Sequence, residues 1–207
     1  MISLGANTFA PVTPVWIVGT YDHEGRPNVM TAAWAGICCS KPPCVYVSLR
    51  KATYTYDNLL EHKAFTISFP SEEYVKETDY FGLVSGRDSD KFSTANLTPV
   101  KSDLVDAPYV KEFPMILECK VVKIIDIGLH TEFIGEIIDA KAHDDIVDEN
   151  KMPDIGKMKP IIWGMTNMSY RKVGEPIGKS FSIGKQLAKK KSTSDKKPMT
   201  RAKTKNP

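Results

Sequence analysis

Two long runs rich in β-branched residues, 115–127 (MILECKVVKIIDI) and 131–142 (TEFIGEIIDAKA), stand on either side of Gly128-Leu129-His130. Runs of this kind split by so short a link predict an antiparallel hairpin, the strongest in the chain. Shorter runs precede it. Residues 15–21 (VWIVGTY) read as a buried strand, and residues 22–27 (DHEGRP) as a turn punctuated by Gly25 and Pro27, with a second strand starting near Asn28. Residues 44–50 (CVYVSLR) alternate as a half-buried strand does, and residues 64–69 (AFTISF) form another, stopped by Pro70. Residues 160–165 (PIIWGM) are expected to close the sheet. At least six strands with short connections predict a β-rich barrel with helical additions, since closure removes exposed edges.

The helical additions are few. Residues 53–62 (TYTYDNLLEH) suit a short helix capped by Thr53 or Thr55, and residues 71–82 suit another behind Ser71. Residues 85–96 (SGRDSDKFSTAN) lack apolar periodicity and read as a loop with a fragment of helix. No internal repeat is present.

Charge is divided unevenly along the chain. Residues 185–207 hold nine Lys and Arg against Asp195 alone, a local balance of +8, which leaves the other 184 residues with 19 basic against 24 acidic side chains. The mildly acidic body excludes a nucleic-acid surface on the folded part. The tail has almost no apolar residue after Leu187 and is expected to be disordered, so the chain divides into a folded domain over 1–184 and a Lys-rich tail over 185–207. No apolar run is long enough to span a membrane, and residues 1–10 lack the pattern of a secretory signal, which together predict a cytoplasmic protein. The four cysteines, Cys38, Cys39, Cys44 and Cys119, show no metal-binding spacing, and adjacent Cys38 and Cys39 are expected to be inert thiols.

Three places carry chemistry. At residues 50–55 (RKATYT), two cations, three hydroxyls and the free N–H groups of a first helical turn suit a phosphate monoester, although a solvated strand end with a Thr cap has the same residues. Residues 28–36 (NVMTAAWAG) form an unusual strand in which small Thr31, Ala32 and Ala33 stand beside Trp34 and polar Asn28. Small residues let a planar ligand approach the backbone, while the competing reading makes Trp34 a core residue. His130 alone reads as a turn histidine, Lys91 as a solvated charge and Trp163 as core. There is no G-x-S-x-G, no P-loop and no G-x-G-x-x-G, so nucleophile elbows, triphosphate sites and dinucleotide domains are not indicated.

In combination, residues 14–21 (PVWIVGTY), 28–43 (NVMTAAWAGICCSKPP), 48–58 (SLRKATYTYDN), 82–92 (GLVSGRDSDKF) and 130–137 (HTEFIGEI) resemble the flavin reductase-like family, and its flavoredoxin branch in particular. The resemblance covers roughly residues 1–183. It implies a mainly β fold, the FMN-binding split β-barrel with Greek-key connectivity and short additional helices. It also implies a homodimer with one non-covalent FMN per subunit, at or near the interface. By the same resemblance Asn28, Thr31, Ala32, Ala33 and Trp34 contact the ring and ribityl parts, and Arg50, Thr53, Tyr54 and Thr55 hold the phosphate. Lys91, His130, Trp163 and Ser85 complete the set. No side chain is assigned a catalytic role and no metal is implied. The electron donor implied is NAD(P)H or a redox protein, and the acceptor a small molecule or a protein. A non-enzymatic dimer that docks its basic tail on nucleic acid or an anionic surface is the competing reading.

Overall fold

A computed structural model describes residues 1–185 and 187. The chain divides into two units, Met1–Val173 and Gly174–Pro207, and every strand lies in the first. In the second, the described residues carry only turn-like hydrogen bonds such as Ile183 N–H to the Lys179 carbonyl, 3.0 Å. The expected disorder of the Lys-rich tail concerns residues that lie, but for 185 and 187, outside those described.

The first unit holds twelve strands: β1 (Thr13–Pro14), β2 (Trp16–Tyr21), β3 (Pro27–Ala32), β4 (Ala35–Ser40), β5 (Pro43–Arg50), β6 (Ala64–Phe69), β7 (Pro99–Lys101), β8 (Pro108–Val110), β9 (Met115–Ile127), β10 (His130–Ala142), β11 (Ile161–Gly164) and β12 (Ser169–Lys172). Four α-helices join them: α1 (Tyr54–His62), α2 (Val75–Leu83), α3 (Lys91–Ala95) and α4 (Ile155–Met158). Seven strands form one antiparallel sheet in the order β3-β2-β6-β9-β10-β5-β4. Its two edges, β3 and β4, are consecutive in the chain and separated only by Ala33 and Trp34. A flat seven-stranded sheet holds its edges about 29 Å apart. Three Cα steps reach about 11 Å. The sheet must therefore roll up, and the result is a split β-barrel.

The hairpin of β9 and β10 forms as the sequence predicts, with His130 opposite Ile127 and Gly128 taking the positive φ of 66° that the tight turn needs. Inward side chains fill the barrel: Val18, Val45, Val47, Leu49, Phe65, Ile67, Leu117 and Phe133 are buried together. Gly135 is one of these inward positions, and a Cβ there would overlap the Phe65 ring and lie 3.1 Å from Cys119 Cβ. A second cluster, including Ile17, Val29, Phe81, Phe92 and Phe113, fills the space between the β2–β3 hairpin and α2 and α3.

Two sequence expectations are corrected. Residues 28–36 are not one strand, because the chain breaks at Ala33-Trp34 to pass from one sheet edge to the other. Residues 160–165 do not close the main sheet. Within them β11 pairs with β1 and β12 in a separate three-stranded sheet, while β3 and β4 already occupy both edges. Cys38 and Cys39 are both exposed, the alternation of β4 being interrupted by a register shift between Ile37 and Cys39. Cys44 and Cys119 are buried free thiols. Among the described residues no helix is long and apolar enough to cross a membrane.

Because Phe65 occupies the space a side chain at 135 would need, Gly135→Ala is expected to lower stability by about 1–3 kcal/mol. Denaturant unfolding of the two proteins checks this, and equal midpoints would place the Phe65 ring elsewhere.

Candidate functional site

The strand β5 ends at Arg50, the chain turns over Lys51 and Ala52, and α1 begins at Tyr54. Thr53 holds the N-cap position with an extended backbone, yet its side chain makes no capping bond. Its hydroxyl instead donates to the Arg50 carbonyl, 2.9 Å away. The first-turn N–H groups of α1 are thus left without a side-chain cap, and groups of this kind favour an anion.

A cleft of about 240 Å³ opens beside this turn. Seven of the thirteen sequence-assigned residues line it: Asn28, Thr31, Thr53, Tyr54, Thr55, Ser85 and Lys91. Asn28 and Thr55 are buried, and the Asn28 Nδ2 donates to the Thr55 Oγ1 at 3.1 Å. The Asn28 Oδ1 is buried with no partner in the protein. A buried acceptor of this sort is costly unless a further donor reaches it. Gly86 packs against the same place, where a Cβ would overlap Asn28 Oδ1.

Lys91 is buried, contrary to the solvated charge it resembles when read alone. Its Nζ donates to the Val29 carbonyl at 2.8 Å and the Phe81 carbonyl at 2.9 Å, tying β3 to the last turn of α2. One N–H of the ammonium remains for the cleft. Burial lowers its pKa to about 8.

A second group lies at the β3–β4 bend and its neighbours. Trp34 is 40% exposed, so it is not the core residue its competing reading makes it. Its ring stacks on His130 with centroids 5.9 Å apart and planes 14° apart, and Trp163 stands 6.0 Å away at 45°. Arg50 is exposed and lies opposite His130 in the β5–β10 register, outside the cleft wall. Ala32 is buried beneath, and Ala33 forms the bend.

Sequence reasoning missed Asp22 and Arg87. Asp22 is 2% exposed in the β2–β3 turn. Its carboxylate accepts from Tyr54 Oη at 2.8 Å, Arg26 Nε at 2.8 Å, and the N–H groups of Glu24 and Arg26 at 2.9 Å. Burial would raise its pKa, but these bonds prevail and hold it at about 2. Arg87 Nη2 donates to Asp57 at 2.7 Å and Nη1 to the Ala52 carbonyl at 3.2 Å, with the guanidinium 5.0 Å over the Tyr54 ring. Both partnerships join residues far apart in sequence, and the sole local signal was the Asp that opens a Gly-containing turn.

The model of the flavin reductase like domain matches residues 10–169. This chain belongs to the flavin reductase-like family. Flavoredoxin of Desulfovibrio vulgaris (Miyazaki F) superposes with a TM-score of 0.85 at 52% identity, over 89% of this chain and 99% of that one. Flavoredoxin from Methanosarcina acetivorans gives 0.84 at 34% identity, over 90% and 98%. A ferric-chelate reductase (NAD(P)H) of Archaeoglobus fulgidus is 33% identical across 59% of this chain and 72% of its own length. The family membership agrees with the resemblance drawn from the five sequence stretches.

Lys91→Met leaves two buried carbonyls unpaired and is expected to cost about 1–3 kcal/mol at pH 7. The native lysine binds its proton less tightly than the ordinary value of about 10.4, so wild-type stability gains from this group between pH 8 and 10. Urea unfolding at pH 7 and pH 10 should show the gap between wild type and variant widening with pH; a constant gap would contradict the burial of the ammonium.

Proposed function

We propose that this protein is an FMN-dependent oxidoreductase of the flavin reductase-like family, binding one FMN non-covalently per subunit of a homodimer. The observation that carries the reading is the cleft where the unpartnered Asn28 amide oxygen, its bonded Thr55 and the uncapped first turn of α1 converge. The names of the flavoredoxins and of the ferric-chelate reductase support a flavin redox role for their relative.

The residues fit a flavin nucleotide. The first-turn N–H groups of α1, with Thr55 and Ser85, suit its phosphate, Thr53 joins them once its hydroxyl leaves the Arg50 carbonyl, and Arg50 adds charge from the strand end. The Asn28 Oδ1 suits a ring or ribityl donor. The Trp34, His130 and Trp163 rings supply an apolar wall. When bound, a flavin supplies hydride or single-electron transfer without a protein acid, base or nucleophile. The role of this chain is then to orient the cofactor, exclude water from one face and tune it through backbone donors along β3.

The cleft volume of about 240 Å³ is below the usual range for ligand pockets, about 300 Å³ upwards. A site completed by a second copy accounts for this. The edge strand β4 and the β9–β10 hairpin leave Ile37, Val122, Ile127 and Leu129 exposed, apolar side chains that a second copy would cover. The electron donor is a nicotinamide nucleotide or a redox protein, and anaerobic stopped-flow reduction by NADH, NADPH and reduced ferredoxin separates them.

Titration of FMN and riboflavin tests the phosphate placement. Arg50→Ala with Thr55→Ala should weaken FMN by at least about tenfold, the scale of one charge-assisted hydrogen bond from Thr55 with a smaller contribution from the exposed Arg50, and riboflavin far less. Equal losses for both ligands would contradict it.

A further inference from the structure

The Tyr54 ring has space on both sides. Beyond the cofactor cleft lies a second cleft of about 350 Å³, between the β2–β3 turn and the 86–90 loop. Asn28, Tyr54 and Gly86 line both. The partition between the two spaces is therefore an amide, a phenol ring and a stretch of backbone.

The partition is held rigidly. Asp22 fixes the hydroxyl of Tyr54 and Arg87 covers the face of its ring. Each holder is itself tied down, Asp22 by Arg26 and two backbone N–H groups, Arg87 by Asp57 and the Ala52 carbonyl. Gly86 closes the remaining gap, since a Cβ there would lie 2.8 Å from Tyr54 Cδ1. The second cleft is also a poor place for further negative charge. Its two arginines are engaged, Arg26 with Asp22 and Glu24 and Arg87 with Asp57, and Asp22, Asp88 and Asp90 line it.

We infer that Tyr54, clamped between Asp22 and Arg87, closes the phosphate end of the cofactor cleft and makes the site select a flavin mononucleotide over a flavin dinucleotide. The inference rests on the reading of the cleft as a flavin nucleotide site. A monophosphate ends at the first-turn N–H groups of α1. A dinucleotide must carry a second phosphate and an adenosine past that point, into a wall backed by carboxylates. Tyr54 is a specificity-determining residue, and Asp22 and Arg87 are positioning residues that act through it.

The test is titration of FMN, FAD and riboflavin into the flavin-stripped full chain, as wild type, Tyr54→Phe, Arg87→Met and the double variant. Tyr54→Phe removes only the hydroxyl, and the Arg87 side chain is 45% exposed, so neither change threatens the fold. Wild type should prefer FMN to FAD. Each single variant should narrow that preference about tenfold, the scale of one hydrogen bond to a charged group. The double variant should narrow it by less than the product, because both contacts hold one ring. Equal wild-type affinity for FMN and FAD, or losses in the same proportion for both, would overturn the inference. A wild type that binds none of the three flavins would instead overturn the reading of the cleft.

Discussion

The link of Ala33 and Trp34 between the two edges of a seven-stranded sheet is the constraint on which the remainder of the molecule depends. So short a link rolls the sheet, and rolling gives the barrel its enclosed core while β3 and β4 stay unpaired edges, the split of the barrel. It also sets the position of Trp34. At this bend Trp34 stays out of the core and turns out against His130 at the start of β10 and Trp163 of the smaller sheet. The same closure leaves β3 facing α1 and α2, where Asn28, Thr31 and Lys91 meet the first turn of α1.

The site owes little to free side-chain charge. Lys91 gives two of its three donors to backbone carbonyls, and Arg87 and Arg26 are held by carboxylates. What it offers a ligand is mostly oriented dipoles: helix N–H groups, hydroxyls and one buried amide. Dipoles fixed by packing need no reorganisation when a ligand arrives, and they bind an anion with less free charge than would attract any polyanion. An arrangement of this kind suits a tightly held cofactor that stays through turnover.

Most of the barrel was legible in the sequence because its strands alternate or run long. The pairs β9–β10 and β2–β3 announce themselves by β-branched content and by Gly128 and Gly25 at their turns. The break at Ala33 was hidden, since small residues without Gly or Pro carry no turn signal. The three-stranded sheet was hidden too, because β1 has two residues and β12 four, too few for a period to show. In the site, the family resemblance assigned residues 28, 31, 53–55, 85 and 91 to one ligand, and all of them line the same cleft. What escaped was tertiary: the burial of Lys91, the exposure of Arg50 outside the cleft wall, and the clamp on Tyr54 by residues 32 and 33 positions away on either side.

The most direct test of the account is a crystal structure of the protein grown with FMN. The prediction is a phosphate within hydrogen-bonding distance of the α1 first-turn N–H groups and Thr55, with the ring beside Trp34. Ordered FMN bound elsewhere, or a cleft at Asn28 that stays filled by solvent at saturating cofactor, would contradict it.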